Sequence, residues 1–320
     1  MATRHIPVLL DEAVAMLNLH KGAVAVDATL GGGGHTRALL SSVLPGGRVV
    51  AVDADGEAVE RFLRSAETDE VLRKAIEGKR LVAVRENFSR IGETLHALGY
   101  EGVDAILADF GFSSDQVDAP ERGFSFLADG PLDMRLDRSG GKTAADIVNG
   151  YDEADLVRIL WRYGGEPKAK KIARAIVARR QEQVFERTAD LAECVKGAFS
   201  AVETRRMKLH PATRTFQGIR METNDELGVI ERFLRSAVPM LAPGGRIAVI
   251  TFHSGEDALV KKVFAEMAKG CVCPPAFPEC RCGRKPELRL LSPRFVRPSD
   301  EEIDRNPRSR SAKLRGAEKL

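Results

Sequence analysis

The chain has 320 residues, 43% hydrophobic and 30% charged, and its 49 Lys and Arg against 46 Asp and Glu leave a net charge of +3. That length suits one large α/β domain or two compact units, and near-neutrality excludes a uniformly basic coat protein or a polyanionic tail. With 6% aromatic residues, and 29 glycines at turns without a three-residue period, fibrous and low-complexity classes are excluded as well.

In chain order, the first apolar stretch, residues 6–10, is shorter than the core of an export signal and runs straight into Asp11 and Glu12. No run approaches the roughly 18 apolar residues of a membrane span, so a soluble, cytoplasmic protein without a membrane partner is expected. Residues 24–28 (VAVDA), 48–53 (RVVAVD), 81–84 (LVAV) and 104–109 (DAILAD) are apolar runs ending at or near an acid or turn residue, the pattern of buried parallel strands. Between them, residues 36–43, 56–66 and 89–98 carry apolar side chains at helical spacing. This alternation predicts a doubly wound α/β sheet, which binds ligands at the carboxyl ends of its strands.

The strand signature returns only at residues 244–252 (GGRIAVITF), introduced by the turn Ala242-Pro243-Gly244-Gly245. Residues 144–201 are helical in pattern, with Leu156, Ile159, Leu160 and Tyr163 on one face and Ile172, Ala173, Ile176 and Val177 on another, although Pro167 interrupts the stretch. A helical subdomain over 114–215 is therefore expected, inserted into a sheet domain of residues 1–113 and 216–320. Residues 287–291 and 311–319 are candidates for two final strands. No repeat of solenoid or propeller period is present.

Charge is unevenly shared. Residues 156–220 hold 15 Lys and Arg against 6 Asp and Glu, a local +9 that leaves −6 for the rest. Lys168, Lys171 and Arg179 fall near one helical face, which by itself reads as a solvated surface. Residues 205–214 (RRMKLHPATR) add cations without helical periodicity, and that favours a polyanion-binding role. Four of the five cysteines, Cys271, Cys273, Cys280 and Cys282, form a C-x-C-x6-C-x-C cluster, while Cys194 stands alone. This is no secreted disulfide framework. Reduced thiols are the default reading, four thiolates on zinc the alternative, and neither has a part in the chemistry below.

The sharpest feature is residues 26–36 (VDATLGGGGHT), four glycines between a strand and a helix. Glycines there permit positive φ and close approach of backbone to a ligand. Asp53, ending the second strand, is placed to accept hydrogen bonds from the ribose of an adenosine cofactor. The dinucleotide fingerprint fails in both frames, its third glycine falling on Thr36 or Arg37, and no nucleotide-triphosphate loop is present. Asp27, just before the glycines, would repel a pyrophosphate and suits a cofactor with a cationic amino-acid portion. S-adenosylmethionine meets that description. The fourth strand ends in Asp109-Phe110-Gly111-Phe112-Ser113-Ser114, an acceptor beside aromatic rings, as an amino-group methyltransferase needs to align a conjugated amine. Taken alone, Phe110 and Phe112 as core residues and Asp109 as a cap is an equal reading.

With these residues in view, the chain resembles the MraW (RsmH) family of ribosomal RNA small-subunit methyltransferases. The resemblance is carried by HIPVLL at 5–10, the glycine loop, SSDQVDAPERGFSF at 113–126, GPLDMR at 130–135, HPATRTF at 210–216, TFHSGED at 251–257 and NPRSRSAKL at 306–314, and spans nearly the whole chain. It implies a class I S-adenosylmethionine-dependent methyltransferase domain with a helical, RNA-recognising insertion, and N4-methylation of a cytosine in the decoding region of 16S ribosomal RNA, conventionally position 1402. The partner would be 16S ribosomal RNA, within the small ribosomal subunit, with room left for a homodimer. Cofactor contacts carry over to Gly33, Gly34, His35, Asp53, Phe88, Asp109 and Gln116, and Asp109 is the expected catalytic residue. No metal is implied.

The chain departs from the family at Phe110 and Phe112, where Leu and a smaller apolar residue are usual, at Gly255, where a larger residue is usual, and near Thr223 and Gly316, where aliphatic residues are usual. His253 and Ser254 either touch the target or close a turn. The rival readings are a nicotinamide oxidoreductase, a DNA amino-methyltransferase, whose usual Pro-Pro-aromatic strand end Phe110-Gly111-Phe112 does not match, and a non-catalytic ribosome-assembly binder.

Overall fold

Strand by strand, alternate side chains part to the two faces of one sheet. In the computed structural model, which describes residues 7–111, 119–138, 140–271, 273, 279 and 281–320, the strands are β1 (Val24–Asp27), β2 (Arg48–Asp53), β3 (Leu81–Arg85), β4 (Val103–Asp109), β5 (Leu241–Thr251), β6 (Leu288–Leu290) and β7 (Lys313–Lys319). They pair in the order β3-β2-β1-β4-β5-β7-β6, parallel through β5, while β7 runs antiparallel to both β5 and β6. The doubly wound sheet is as expected, and the two C-terminal runs form its final antiparallel pair.

Helices cover both faces. Leu10–Leu17 (α1), Gly34–Val43 (α2), Gly56–Ser65 (α3) and Glu70–Glu77 (α4) pack Leu17, Leu39, Val43, Phe62 and Leu72 with Ala25, Val49, Ala51 and Leu107 of the strands. The other face carries Ile91–Ala97 (α5) and, beyond the helical insertion in sequence, two further helices. Its core gathers Ile91, Leu95, Phe233 and Val260 with Val26, Val50, Ile106 and Val249. Neighbouring strand residues thus serve opposite cores, the alternation a sheet buried on both sides requires.

The chain divides into two compact units, residues 2–111 with 227–320, and residues 112–226. The second is helical: α6 (Ala144–Gly150), α7 (Glu153–Arg162), α8 (Ala169–Glu182), α9 (Thr188–Gly197), α10 (Ala201–Arg206) and α11 (Thr213–Thr223), with a core of its own built on Leu156, Ile159, Leu160, Ile172, Ile176, Leu191 and Ile219. Residue 215, the expected end of the insertion, falls inside α11, and the unit closes at Glu226. The first unit is completed by α12 (Glu226–Ala237), α13 (Ser254–Ala268) and α14 (Asp300–Arg305).

Three sequence expectations change. Residues 242–245 are no turn before a strand: they lie within β5, where the pairing jumps from Val103↔Leu241 to Ala105↔Arg246 and Gly244 takes φ +81, so the extra residues bulge out of the ladder. Pro167 interrupts no helix, because it sits in the connection between α7 and α8, where its missing N–H costs nothing. Helices α1 and α4 add to the expected set. Leu9, in the left-handed region at φ 52, precedes α1, and Asp69 caps α4 by accepting from the N–H groups of Val71 and Leu72. At Gly316 the room an aliphatic side chain would need is already taken by the thioether of Met16.

Candidate active site

The site grows from the carboxyl ends of β1, β2 and β4. Asp27, the last residue of β1, is fully buried; its carboxylate accepts from the Thr29 N–H (3.1 Å) and from the Thr36 hydroxyl (2.6 Å). It therefore ties both ends of the glycine loop together. Gly31 and Gly33 adopt φ +47 and +73, which a side chain disfavours. A Cβ on Gly33 would overlap the Phe62 ring, and one on Gly34 would come within 2.9 Å of Pro7. Packing alone thus demands these two glycines. α2 starts at Gly34 with no side-chain cap on its first turn, and uncapped N–H groups of this kind form a polar, ligand-seeking helix end.

Asp53 closes β2. Its Oδ2 accepts from the Gly31 N–H (2.8 Å) and its Oδ1 from the Asp55 N–H (2.9 Å), so it braces the glycine loop from the neighbouring strand. Burial raises its carboxyl to about 6, against the partial relief of those two hydrogen bonds. The carbonyl of Asp53 accepts from the Glu86 N–H (3.0 Å), which brings the segment after β3 alongside. Phe88, in that segment, stacks on Phe110 at 5.4 Å between centroids and meets Phe233 edge-on at 5.5 Å.

Asp109 ends β4. Its backbone N–H donates to the Thr29 hydroxyl (2.7 Å). Oδ2 lies 3.7 Å from Nδ1 of His35, whose Nε2 is 3.1 Å from the Val8 carbonyl. Oδ1 is shut off from solvent and has no hydrogen-bond partner among the described residues. A buried acceptor left open in this way is uncommon and marks a place for an absent donor. Desolvation pushes the carboxyl up to about 6; His35 works against the shift, and the negative charges of Asp27 and Glu256 add to it. Asp27 is raised too, again chiefly by burial. No Lys or Arg pairs with Asp27, Asp53 or Asp109 among the described residues. A cluster of buried carboxylates without cations is suited to receive a positively charged ligand.

Six of the seven expected site residues, Gly33, Gly34, His35, Asp53, Phe88 and Asp109, belong to these strand ends and loops. Gln116 lies outside the described residues, as do Phe112, Ser113 and Ser114. Phe110 is only 3% exposed and packs edge-on against Phe233, so it is a core residue and no open wall. His253 serves α13: its Nδ1 accepts from the Glu256 N–H (3.3 Å), while the Glu256 carboxylate accepts from the N–H groups of Phe252 (2.8 Å) and His253 (3.2 Å). Sequence reasoning misses Glu256, though its place three residues after a capping position is a readable signal. It also misses Thr29 and Thr36, which set Asp109 and Asp27, because isolated threonines carry no motif. Gly255 leaves the His253 ring just clear, since a Cβ there would come within 3.2 Å of it.

In the helical unit the cations part into two groups. Lys168, on the basic face expected from the sequence, pairs with Glu203 (2.5 Å) and sits 4.6 Å over the Phe199 ring; Arg179 donates to the carbonyl and side chain of Gln183. These two are structural. Lys170, Lys171, Arg205, Arg206, Lys208 and Arg214 are exposed and pair with no carboxylate among the described residues. Arg205 and Arg206 end α10 and Arg214 lies in the first turn of α11, so only the stretch between these helices is irregular. Beside them His210 stacks on Phe126 at 4.5 Å, and Phe126 meets Phe216 edge-on at 5.0 Å. Among the described residues no helix is long and apolar enough to cross a membrane.

A family model described as the MraW methylase family matches residues 2–320. The ribosomal RNA small subunit methyltransferase H of Carboxydothermus hydrogenoformans is 49% identical to this chain, covering 100% of it and 99% of its own length. The proteins of the same description from Thermomicrobium roseum and Brevibacillus brevis are 48% and 43% identical, each covering 100% of this chain and 95% and 99% of their own lengths. Among solved structures, a putative rRNA methylase from Clostridium thermocellum is similar over 98% of this chain and 99% of its own, at 12% identity and a TM-score of 0.45.

Proposed function

This chain belongs to the MraW methylase family, and from that premise we propose that it transfers a methyl group from S-adenosylmethionine to N4 of a cytosine in the decoding region of 16S ribosomal RNA, conventionally position 1402. The observation that carries the reading is the solvent-excluded Oδ1 of Asp109, an acceptor with no partner among the described residues at the end of β4. The names of the relatives, ribosomal RNA small subunit methyltransferases, support the substrate class.

The residues fit the donor. Its sulfonium and ammonium charges would offset the negative field of Asp27, Asp53 and Asp109, whose carboxyls burial raises above their ordinary values. Asp53, whose two oxygens each have a lone pair beyond the backbone bonds they accept, would take the ribose hydroxyls. The loop backbone at Gly33 and Gly34 would face the amino-acid portion, Phe88 the adenine, and Gln116 is proposed with them on the family resemblance. When bound, S-adenosylmethionine supplies the electrophilic methyl.

The protein's own part is to orient and to take a proton. A cytosine amine has its lone pair spread into the ring, so an acceptor on its N–H aims the nitrogen and gathers electron density there. Asp109 Oδ1 is that acceptor. The amine loses one hydrogen as it gains the methyl, and Oδ1 receives it, with His35 beside Oδ2 working against the upward shift that burial imposes on the carboxyl. No metal enters these steps. We assign RNA recognition to the helical unit, where Lys170, Lys171, Arg205, Arg206, Lys208 and Arg214 offer phosphate contacts and an unstacked target base is the form proteins read in RNA. The acting compartment would be the cytoplasm.

The test is mapping by mass spectrometry. Small subunits from cells lacking the protein, incubated with the purified enzyme and S-adenosylmethionine, should gain one N4-methylcytidine at the decoding site. Modification at another nucleotide, or at a carbon or oxygen of that cytosine, would overturn the assignment.

A further inference from the structure

The described residues of the connection from α13 to β6 contribute nothing to the core. From residue 269 to 287 no described residue is buried, and none forms a helix or strand. Connections longer than about 12–15 residues without structure of their own are uncommon and usually have a specific reason to persist. Its mouth is held by two hydrogen bonds to backbone carbonyls, from the Glu287 N–H to Met267 (2.8 Å) and from the Arg284 guanidinium to Glu266 (2.6 Å). Neither anchor reaches the cysteines farther out.

We propose that Cys271, Cys273 and Cys282 bind a zinc ion through their thiolates and staple this connection. Their Sγ atoms all lie within 4.8 Å of one another, and those of Cys271 and Cys282 are 3.8 Å apart. Tetrahedral zinc with Zn–S bonds of about 2.3 Å sets its sulfurs about 3.8 Å apart, whereas a disulfide would need about 2.05 Å. The spacing is thus that of ligands around a common centre. Backbone N–H groups already point at two of the sulfurs: Cys273 N–H at Cys271 Sγ and Arg281 N–H at Cys273 Sγ, each 3.4 Å. Such N–H···S contacts are the outer shell that orients and stabilises metal-bound thiolates. Lys269, Arg281, Arg284 and Lys285 flank the loop and would offset the negative charge that several thiolates bring to one divalent ion.

The all-sulfur donor set selects a soft or borderline metal over magnesium or calcium. Cys280, the sequence partner of Cys282 in its C-x-C pair, lies outside the described residues. With no apolar burial among the described residues of this long connection to oppose its entropy, a metal clip closing it has much to contribute. The site is independent of methyl transfer, since no residue of it belongs to the carboxylate cluster.

The experiment uses the full chain, expressed with added zinc and purified under reducing conditions. Elemental analysis should find about one zinc per chain, and replacement by Co(II) should give the intense thiolate-to-cobalt charge-transfer absorption. The double variant Cys271→Ser/Cys282→Ser should lose both signals yet melt cooperatively and bind S-adenosylmethionine as the parent does, while Cys194→Ser keeps them. Trypsin should cut the connection in the double variant and spare it in the zinc-loaded parent. The proposal is overturned if the parent holds no zinc after reconstitution and shows no charge-transfer band, if the double variant retains zinc equally, or if the freshly isolated parent carries a Cys271–Cys282 disulfide.

Discussion

In the sheet unit three carboxylates, Asp27, Asp53 and Asp109, are held at strand ends without a Lys or Arg among the described residues; in the helical unit exposed cations such as Lys170, Lys171, Arg205, Arg206, Lys208 and Arg214 stand without a described carboxylate. Each unit thus leaves charge of one sign uncompensated, but in different dielectric settings. The carboxylates are desolvated, so their deficit is strong, short in reach and met only by a partner that enters the site. The cations are solvated, so their attraction is longer in reach, individually weaker and screened by salt. Selective chemistry fits the first setting and capture of a polyanion the second. Lys168 and Arg179 show that being basic is not enough, because both are spent on internal contacts.

The largest effect that would break this contrast is at Asp109. Asp109→Asn should lower methyl transfer by roughly 100-fold or more, measured as radiolabelled methyl incorporated into undermethylated small subunits. The same change should stabilise the unliganded protein. Asp53 and Asp109 are raised from 3.8 to about 6, so each binds its proton more tightly folded than unfolded; the stabilisation from protonation is complete below pH 4 and is lost as pH rises through about 6. At pH 7 each such carboxylate costs on the order of 2–3 kcal/mol. Melting curves should therefore show Asp109→Asn above the parent at pH 7 and level with it near pH 4, while the parent's transfer rate falls as pH drops through about 6.

Next in size, neutralising Arg205, Arg206, Lys208 and Arg214 together should weaken RNA binding and flatten its salt dependence by about 0.7 in log–log slope for each phosphate that these side chains neutralise in the parent. Filter binding across a salt series reads this directly, and S-adenosylmethionine affinity should not move. A smaller change is expected at Gly33→Ala, where left-handed backbone and the Phe62 ring together should cost about 2 kcal/mol in a denaturant titration. Smallest of all, Lys168→Ala should leave the salt slope for RNA unchanged. A flattened slope would mean that its pairing with Glu203 opens on binding.

Most of the sheet is legible because strands buried on both faces are written as apolar runs, and their acidic ends stop those runs where the ligand edge begins. The glycine loop, Asp53 and Asp109 stand out for the same reason. What stays hidden depends on contacts distant in sequence. Phe110 reads equally as a core residue or as a ring beside the target until Phe88 and Phe233 close around it. Glycines in a row imply a close ligand, yet Gly33 and Gly34 answer to Phe62 and Pro7 as well. Helix α4 buries only Leu72 and Ala75, too few for a periodic signal. Helix α1 opens from a leucine in a conformation leucine rarely adopts, and the Leu9 N–H there donates to Glu302, nearly the whole chain away.

One contact reaches further than its size suggests. A carbonyl can only accept, so the Val8 carbonyl beside His35 Nε2 keeps a hydrogen on that nitrogen and turns Nδ1 towards Asp109. The amino-terminal segment thus decides which ring atom faces the Asp109 carboxylate. Trimming the chain past Val8, or pulling on it with a fused tag, would act as a mutation of the proposed catalytic centre without touching any residue in it.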